Sequence, residues 1–260
     1  MLLKMTPDVT ESPDPRLVAY LRQADRILIF TGAGVSTASG IPDFRGPQGV
    51  WKRRQPVYYQ DFMASEEARV EHWDQKLEGY EAFRNARPNA VHEAIARLEA
   101  AGKIEAVVTQ NIDGLHAKAG TSAARLIELH GTNAQVECQA CGERSDPAPH
   151  FEYFRQHRRS PRCPCGGHLK TATISFGQGL REEDLSRASF AAGQADLVVA
   201  LGSTLSVYPA ASIPLLAADR SVPYVILNQG HTEHDHHPAV SLRLEGDVTR
   251  LFPPAVDAAL

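Results

Sequence analysis

Short apolar runs recur along the chain and predict a parallel β-sheet. Each run is four to six residues long, is rich in Val, Ile and Leu, and carries few charges. Strands that are covered by helices on both faces have this composition, because neither face meets water. We therefore expect buried strands at residues 26–31, 106–109, 125–129, 196–201 and 223–228.

Helical patterns lie between these runs, and the clearest covers residues 89–101. Val91, Ile95 and Leu98 recur there at helical spacing, and Gly102 ends the pattern. Strands that alternate with helices in this way predict an α/β fold, a Rossmann-like doubly wound parallel sheet. Ligands bind to such a sheet at the carboxyl ends of its strands.

Two segments interrupt this alternation. Residues 47–88 hold both tryptophans and several other aromatic residues, and we interpret them as a helical insertion. Residues 132–170 hold all four cysteines and are rich in Arg, Pro and Gly, which is typical of a small module held together by a metal. The 260 residues suit one large domain with such an addition, because domains begin to split at roughly this length.

The four cysteines are spaced like ligands of one Zn²⁺ ion. Cys138 and Cys141 form an ordinary C-x-x-C pair, whereas a single residue separates Cys163 from Cys165. Four protein ligands leave no position for water, so the predicted zinc is structural and the module is of the zinc-ribbon type. Two alternatives stay open here, a module without metal and a site in which His168 replaces one thiolate.

A histidine-rich run at residues 231–237 invites a second metal hypothesis. His231, His234, His236 and His237 are mixed there with Glu233 and Asp235. We expect a solvated loop rather than a metal site.

Charge and hydropathy exclude two classes of protein. Lys and Arg number 27 against 31 Asp and Glu, a net charge of −4, so binding to nucleic acid through phosphates is not expected. The uncharged stretch 197–218 could span a membrane by length, but its prolines and hydroxyl residues favour a buried strand, a turn and a helix. With no secretion signal and with cysteines suited to a reducing compartment, we expect a cytoplasmic protein without a membrane partner.

The first predicted strand runs directly into the sequence Thr-Gly-Ala-Gly-Val-Ser at residues 31–36. Glycines at a strand-to-helix turn let the backbone approach a pyrophosphate, which suggests a dinucleotide site. The pattern departs from the usual fingerprint, because the next glycine is Gly40 and the acidic residue about 20 positions later is missing. A dehydrogenase is therefore disfavoured, and a plain tight turn stays an alternative.

Polar residues follow the next two predicted strands. Residues 109–116 read Thr-Gln-Asn-Ile-Asp-Gly-Leu-His, and His130 and Gly131 follow the run at 125–129. Polar side chains at buried strand ends are costly unless they are hydrogen-bonded. His130 can serve as a general base near neutral pH, although a structural hydrogen bond is the commoner role of a lone histidine.

Taken together, these motifs resemble the sirtuin (Sir2) family of NAD-dependent protein deacylases. The resemblance rests on GAGVSTASGIPDFRG, TQNIDGLHAKAG, LHG, the four-cysteine module and GSTLSVYPAA, and it spans about residues 17–260. It implies an NAD-binding domain at 17–131 and 171–260 that carries the insertion 47–88. It further implies a zinc-binding domain at 132–170. Residues 1–16 precede the resemblance, and their Asp, Glu and three prolines predict a flexible amino terminus.

The resemblance also implies roles for the residues that match its motifs. The catalytic residues would be His130, Asn111 and Ser36. The NAD-binding residues would be Gly32, Ala33, Gly34, Asp43, Phe44, Arg45, Gln110, Asn111, Ile112, Asp113, Gly202, Ser203, Thr204, Asn228 and Val248. Relatives more often have Gly-Thr-Ser where this chain has Gly202-Ser203-Thr204, so which hydroxyl makes the contact stays open.

In the family reaction, the acyl oxygen of a modified lysine attacks the ribose C1′ of NAD and nicotinamide leaves. The histidine then activates a ribose hydroxyl, and the products are free lysine and O-acyl-ADP-ribose. The partners would be acyl-lysine proteins, which add to the enzyme as a β-strand at Ile174, Ser175, Phe176 and Gly177. The sequence is compatible with a monomer and does not fix the oligomeric state.

The acyl preference stays open at this stage. The tyrosine and arginine with which some relatives bind acidic acyl groups would fall within residues 74–79, and neither is present there. We therefore do not expect a specialist for acidic acyl groups. Trp73, Gly79, Tyr80 and Phe83 weakly resemble the class II branch of the family.

Two other functions use the same motifs. The NAD pocket could transfer ADP-ribose to a protein, or the protein could be a non-catalytic sensor of NAD or ADP-ribose. The presence of His130 favours deacylation over ADP-ribosyl transfer. Catalysis is favoured over a sensor role by the presence of Ser36, Asn111, Asp113 and His130.

Overall fold

The computed structural model describes residues 12–42 and 54–260. Asp43, Phe44 and Arg45, which the sequence assigns to NAD binding, lie outside the described residues. In chain order the main elements are α1 (Pro15–Gln23), β1 (Ile27–Thr31), α2 (Tyr59–Ala64), α3 (Glu66–Asn85), α4 (Ala90–Ala100), β2 (Ile104–Thr109), α5 (Leu115–Lys118), β3 (Leu126–Glu128), β4 (Gly131–Cys138), β5 (Arg144–Ser145), α6 (Pro147–His157), β6 (Leu169–Thr173), α7 (Glu182–Gln194), β7 (Leu197–Leu201), α8 (Ser212–Ala218), β8 (Tyr224–Asn228), β9 (Val240–Glu245) and α9 (Val248–Ala259).

The larger sheet has six strands in the order β3-β2-β1-β7-β8-β9, and every neighbouring pair is parallel. The five apolar runs all form strands of this sheet, which confirms the predicted α/β fold. β9 was not predicted, because it is an edge strand in which Arg243 is half-buried and Glu245 is exposed. The strand order reverses between β1 and β7, which is where doubly wound sheets bind their ligands.

Helices cover both faces of this sheet. On one face, Leu21 of α1, Ile95 of α4 and Phe252 of α9 pack against the strands. On the other face, Ala192 of α7 and Ile213 of α8 do the same. The predicted helix at 89–101 is α4, which begins after Asn89 because the Asn89 side chain accepts the backbone N–H of Val91.

Three antiparallel strands in the order β5-β4-β6 form a second, smaller sheet. The long helix α3 packs against it through Trp73, whose indole N–H donates to the carbonyl oxygen of Leu169 at 3.1 Å. Val136, Phe151 and Phe154 complete this buried cluster. Helix α3 therefore buries Trp73 against the cysteine-bearing module.

The uncharged stretch 197–218 forms β7, a connecting loop and α8, as its composition predicts. Within the described part of the chain, no helix has both the length and the apolar character needed to cross a membrane.

Candidate active site

The glycine-rich turn after β1 lies at the point where the strand order reverses. A Cβ atom on Gly32 would lie 2.7 Å from the carbonyl oxygen of Gly202, and one on Gly34 would lie 2.8 Å from the Cα of Gly202. Gly34 N–H also donates to Gly202 O at 2.9 Å. The turns after β1 and β7 are thus in backbone contact, which side chains on Gly32 and Gly34 would prevent.

A cavity of about 1240 Å³ opens beside these turns, larger than an ordinary small-ligand pocket of ~300–1000 Å³. We call it the catalytic cavity. Its walls include most of the predicted site residues within the described part of the chain, namely Ala33, Gly34, Gln110, Asn111, Ile112, His130, Ile174, Ser175, Phe176, Gly177, Gly202, Ser203, Thr204, Asn228 and Val248. Three predicted residues, Gly32, Ser36 and Asp113, are not among the residues that line it.

Ser36, Asn111 and Asp113 form one buried network. Ser36 Oγ donates to Asp113 Oδ2 at 2.7 Å and accepts from Asn111 Nδ2 at 3.2 Å. Asn111 Nδ2 also donates to the carbonyl oxygen of Gly32 at 3.0 Å, and Asp113 Oδ1 accepts the N–H of Leu115 at 2.8 Å. The network therefore joins the glycine-rich turn after β1 to the polar segment after β2.

A second polar layer lies beneath this network and was not predicted as such. Thr31 Oγ1 donates to Thr109 Oγ1 at 2.8 Å and lies 3.0 Å from Nε2 of His116. Burial lowers the pKa of His116 to about 3 and that of His92, whose ring centre is 4.9 Å away, to about 4. Both imidazoles are therefore neutral at physiological pH and pack behind the site.

His130 is held differently. Its Nδ1–H donates to the backbone oxygen of Gln110 at 3.0 Å, and a carbonyl can only accept, so Nε2 is the basic nitrogen of the neutral ring. The next residue, Gly131, has a φ of +69°, and a Cβ atom there would lie 2.0 Å from Ala172 O. The residue after the histidine must therefore be glycine for β4 to approach β6 so closely.

The two hydroxyl residues after Gly202 have different partners. Ser203 is buried, and its Oγ accepts Gln110 Nε2 at 2.8 Å and Leu205 N–H at 3.1 Å. Thr204 is exposed, and its Oγ1 lies 2.9 Å from Ser206 Oγ. Ser203 thus fixes the loop against Gln110, while Thr204 lies at the surface of the catalytic cavity.

The segment 174–177 continues directly from β6. Ile174 N–H donates to the carbonyl oxygen of His130 at 2.8 Å, so the segment is anchored beside the histidine. Phe176 O accepts the N–H of Tyr59 at 2.9 Å, and Gly177 O accepts Gln60 Nε2 at 2.9 Å. The start of α2 therefore supports this wall of the cavity.

The sequence analysis associated residues 74–79 with acyl binding but did not identify which side chains of α3 line the catalytic cavity. His72, Gln75 and Lys76 line it, together with the residues named above. His72 and Lys76 are four residues apart and share one helix face. Nothing in the sequence marks that face as buried, because its composition is polar.

The four cysteine sulfurs lie within 4.8 Å of one another. Cys138 Sγ is 3.5 Å from Cys165 Sγ, and Cys141 Sγ is 3.8 Å from Cys163 Sγ. Four thiolates ~2.3 Å from one tetrahedral Zn²⁺ ion would be about 3.8 Å apart, so the sulfurs fit zinc. The short Cys163–Cys165 spacing closes because Gly166 N–H donates to Cys163 O, with a φ of +88° at Gly166.

Among residues 12–42 and 54–260, these cysteines are the one group able to hold a metal ion. His168 does not belong to that group, so the alternative ligand considered above is not needed. The expectation of a solvated loop at 231–237 is wrong for His234, which is buried between the hydroxyls of Tyr208 and Tyr224 at 3.2 and 3.0 Å.

Comparison with known proteins places this geometry in a family. A family model described as the Sir2 family matches residues 32–209. An NAD-dependent protein deacetylase of Rhodopseudomonas palustris is 42% identical over 237 residues, covering 91% of this chain and 93% of that protein. An NAD-dependent protein deacetylase of Haloarcula marismortui is 41% identical over 242 residues, covering 91% of each.

Solved structures agree with this result. A Sir2 structure with a deacetylated p53 peptide and 3′-O-acetyl ADP-ribose has a TM-score of 0.84 and 34% identity, covering 93% of this chain and 96% of that one. A Sir2 structure with a p53 peptide and NAD⁺ has a TM-score of 0.81 and 33% identity, covering 90% of this chain and 93% of that one. From its motifs, its fold and these similarities, the chain belongs to the Sir2 family.

Proposed function

We propose that this protein is an NAD-dependent protein deacetylase, which removes acyl groups from lysine side chains and releases nicotinamide and O-acyl-ADP-ribose. The observation that carries the proposal is His130, whose Nδ1–H is bound by Gln110 O in a cavity shared by the glycine-rich turn and the segment 174–177. Relatives named NAD-dependent protein deacetylase support it, because they cover nearly the whole chain.

NAD binding is proposed for two ends of the catalytic cavity. Gly32, Ala33 and Gly34 would cradle the phosphates, and Gly202, Ser203 and Thr204 would face the NAD. Asn228 and Val248 would contact the adenosine. Gln110, Asn111 and Ile112 would hold the nicotinamide ribose and its carboxamide. Ser36, bonded to both Asn111 and Asp113, would act with Asp113 from behind the cavity wall by fixing Asn111. When bound, NAD supplies the ribose carbon that takes up the acyl oxygen.

His130 is proposed as the general base. Its Nε2 would accept a proton from a ribose hydroxyl, and the Gln110 carbonyl would stabilise the positive ring through its bond with Nδ1–H. His92 and His116 are poor candidates, because burial holds both pKa values far below neutrality. Asn111 and Ser36 would position the reacting ribose.

The acyl-lysine protein would bind along Ile174, Ser175, Phe176 and Gly177 through backbone hydrogen bonds, which demand little of its sequence. Zn²⁺ at Cys138, Cys141, Cys163 and Cys165 would be structural. We assign the NAD-binding domain to 17–131 and 171–260 and the zinc-binding domain to 132–170, and we propose a cytoplasmic location, where thiols stay reduced.

The test compares the wild-type protein with His130→Ala and with His157→Ala, an exposed histidine on α6 that serves as control. Each is incubated with NAD and an acetyl-lysine peptide, and the products are followed by mass spectrometry. We expect His130→Ala to lose at least about a hundredfold in rate, with NAD binding by calorimetry retained and the control unchanged.

Three outcomes would contradict the proposal. Full activity of His130→Ala would show that His130 is not the general base. Nicotinamide release with ADP-ribose on protein and no deacetylated peptide would identify a transferase instead. NAD binding with no product would identify a sensor.

A further inference from the structure

One face of the large sheet carries a row of apolar side chains that ends in two polar residues. Ile29 of β1 and Val107 of β2 are paired in register and belong to the apolar cluster that α4 covers. The next pair on this face is Thr31 and Thr109, at the carboxyl ends of the two strands, and both are buried. Valine has the shape of threonine and would continue the apolar row. The two buried hydroxyl groups are the exception in this row, and they must find hydrogen-bond partners there.

The two hydroxyl groups form the middle of a series of hydrogen bonds that we call the hydroxyl relay. Thr31 Oγ1 donates its one proton to Thr109 Oγ1 at 2.8 Å. Thr31 Oγ1 can therefore only accept from the imidazole nitrogen 3.0 Å away, so His116 of α5 carries its proton on Nε2 and donates it. Thr109 Oγ1 also accepts the backbone N–H of Asn111 at 3.0 Å. The hydroxyl relay thus runs from α5 across the ends of β1 and β2 to Asn111.

The hydroxyl relay is closed to water. Its four residues, His116, Thr31, Thr109 and Asn111, are each at most 5% exposed. Burial, and then the neighbouring His92, lowers the pKa of His116 to about 3, so the ring is neutral and has a single N–H. Hydrogen bonds in a medium of low dielectric constant polarise one another, so a bond at one end strengthens the bond at the other. Loss of the imidazole N–H therefore weakens the bond that holds Asn111.

The far end of the hydroxyl relay sets the path of the backbone as it leaves β2. A threonine hydroxyl that accepts the N–H two residues later makes a tight local turn. After this turn, Asn111 lines the catalytic cavity, and its Nδ2 donates to Gly32 O at 3.0 Å and to Ser36 Oγ at 3.2 Å. His116 does not line the catalytic cavity, so it reaches the proposed ribose site through the hydroxyl relay.

We propose that His116 is a positioning residue that fixes the backbone of Asn111 through the hydroxyl groups of two threonines. The inference rests on the proposed deacetylase function and adds to it a residue that touches neither NAD nor the acyl-lysine. Its imidazole N–H keeps Asn111 oriented towards the reacting ribose, so the chemical step depends on it. The turn that would bind the NAD phosphates is also held by the bond from Gly34 N–H to Gly202 O, so NAD affinity depends on His116 less than kcat does.

The test compares side chains that place an N–H group at different points of the ring. The amide nitrogen of glutamine falls near the position of the imidazole Nε2, whereas that of asparagine falls near Nδ1. The variants are therefore His116→Gln, which keeps the donor, His116→Asn, which misplaces it, and His116→Phe, which keeps a ring without N–H. Thr31→Val and Thr109→Val remove the hydroxyl groups at nearly the same volume. Ile95→Ala, in the apolar cluster on the same side of the sheet, is the control for lost stability.

Each protein is assayed with saturating NAD and acetyl-lysine peptide, and kcat is divided by the folded fraction. His116→Phe and His116→Asn should lower kcat about three- to tenfold, the loss of one net hydrogen bond, with the Kd of NAD changed less than about threefold. His116→Gln should keep at least about half of the wild-type kcat. Ile95→Ala should lower the midpoint of urea unfolding and leave kcat unchanged.

A double-mutant cycle shows whether these residues act as one relay. Once Thr109→Val has broken the link next to Asn111, the addition of His116→Phe should lower kcat by less than about twofold more. Losses that multiply in the double variant would overturn the inference, as would equal losses in His116→Gln and His116→Asn or a wild-type kcat in His116→Phe. If His116→Phe does not fold, Thr31→Val takes its place in the cycle.

Hydrogen exchange of the Asn111 amide provides a readout apart from turnover. Relative to the amides of β7, this N–H should exchange faster in His116→Phe than in the wild type, and His116→Gln should restore the wild-type rate. Nitrogen-15 spectra should show the proton of His116 on Nε2, and a proton on Nδ1 would overturn the inference. A wild type that deacetylates no peptide would refute the proposed function, while exchange and the spectra still test the hydroxyl relay, so the two failures are distinguishable.

Discussion

Glu128 is the last residue of β3 and precedes His130 by two positions. It lines a separate cavity of about 590 Å³ next to the catalytic cavity, with Asp113 and Lys76 also in its wall. Burial, and then repulsion from the Asp113 carboxylate, raises the pKa of Glu128 to about 7. The folded protein therefore takes up a proton here that the unfolded chain, with an ordinary Glu pKa of ~4.3, has released.

This shift predicts how stability depends on pH. The stabilising effect of the bound proton is fully present below pH ~4.3 and is lost as pH rises to about 7. Glu128→Gln cannot release this proton, so the variant should not lose stability in this way as pH rises. The free energy of unfolding of the variant minus that of the wild type should therefore be larger at pH 8 than at pH 5, by on the order of 2 kcal/mol. Urea denaturation at both pH values measures it.

The exposed Glu183 on α7 provides a matched control. Glu183→Gln should not reproduce the relative rise between pH 5 and pH 8. If Glu128→Gln behaves like this control, Glu128 does not take up a proton on folding.

Single residues also show where sequence reasoning stops. Gly34 and His130 could be identified because a glycine-rich turn and a histidine before glycine are local patterns. The contacts of Ser203 and Lys76 could not be identified, since Ser203 bonds to Gln110, 93 residues earlier, and Lys76 to Asn133, 57 residues later. Contacts between distant segments have no local signal.

The edge strand β9 supports the proposed adenosine end of the catalytic cavity. Arg243 donates from Nη1 to Asn228 O at 3.1 Å and from Nη2 to Gly230 O at 2.6 Å. Its Nε donates to Asp235 Oδ1 at 2.7 Å. One guanidinium group therefore holds both ends of the loop 228–230, which lines the cavity. Alternation at an exposed edge is a weak strand signal, which is why β9 and its arginine were missed.

Arg243→Met should loosen this loop without touching the proposed chemistry. We expect KM for NAD to rise about tenfold, the loss of one net charge-assisted hydrogen bond, with kcat within about twofold of wild type. Steady-state kinetics with saturating peptide separate the two constants. The control is Arg250→Met, an exposed arginine on α9. A fall in kcat with KM unchanged would show that Arg243 does not act through the NAD loop.

At the scale of the whole molecule, the small sheet frames the site. β4 begins immediately after His130, β6 ends immediately before Ile174, and Gly131 pairs with Thr173 between them. The far ends of the same two strands lie at the cysteines, where Cys138 pairs with Leu169. The proposed zinc thus holds one end of a strand pair whose other end places the general base and the substrate segment.

Removal of zinc should therefore affect catalysis more than NAD binding. In Cys141→Ser we expect the metal content to fall from one zinc per chain towards zero, and kcat to fall at least about tenfold. NAD affinity should change little, because the glycine-rich turn is fixed by β1 and β7 of the large sheet. Hydrogen exchange should quicken within 131–173 and stay unchanged in β1 and β7. A variant without zinc that keeps the wild-type kcat, or faster exchange spread equally over both sheets, would contradict this coupling of the zinc end to the active site.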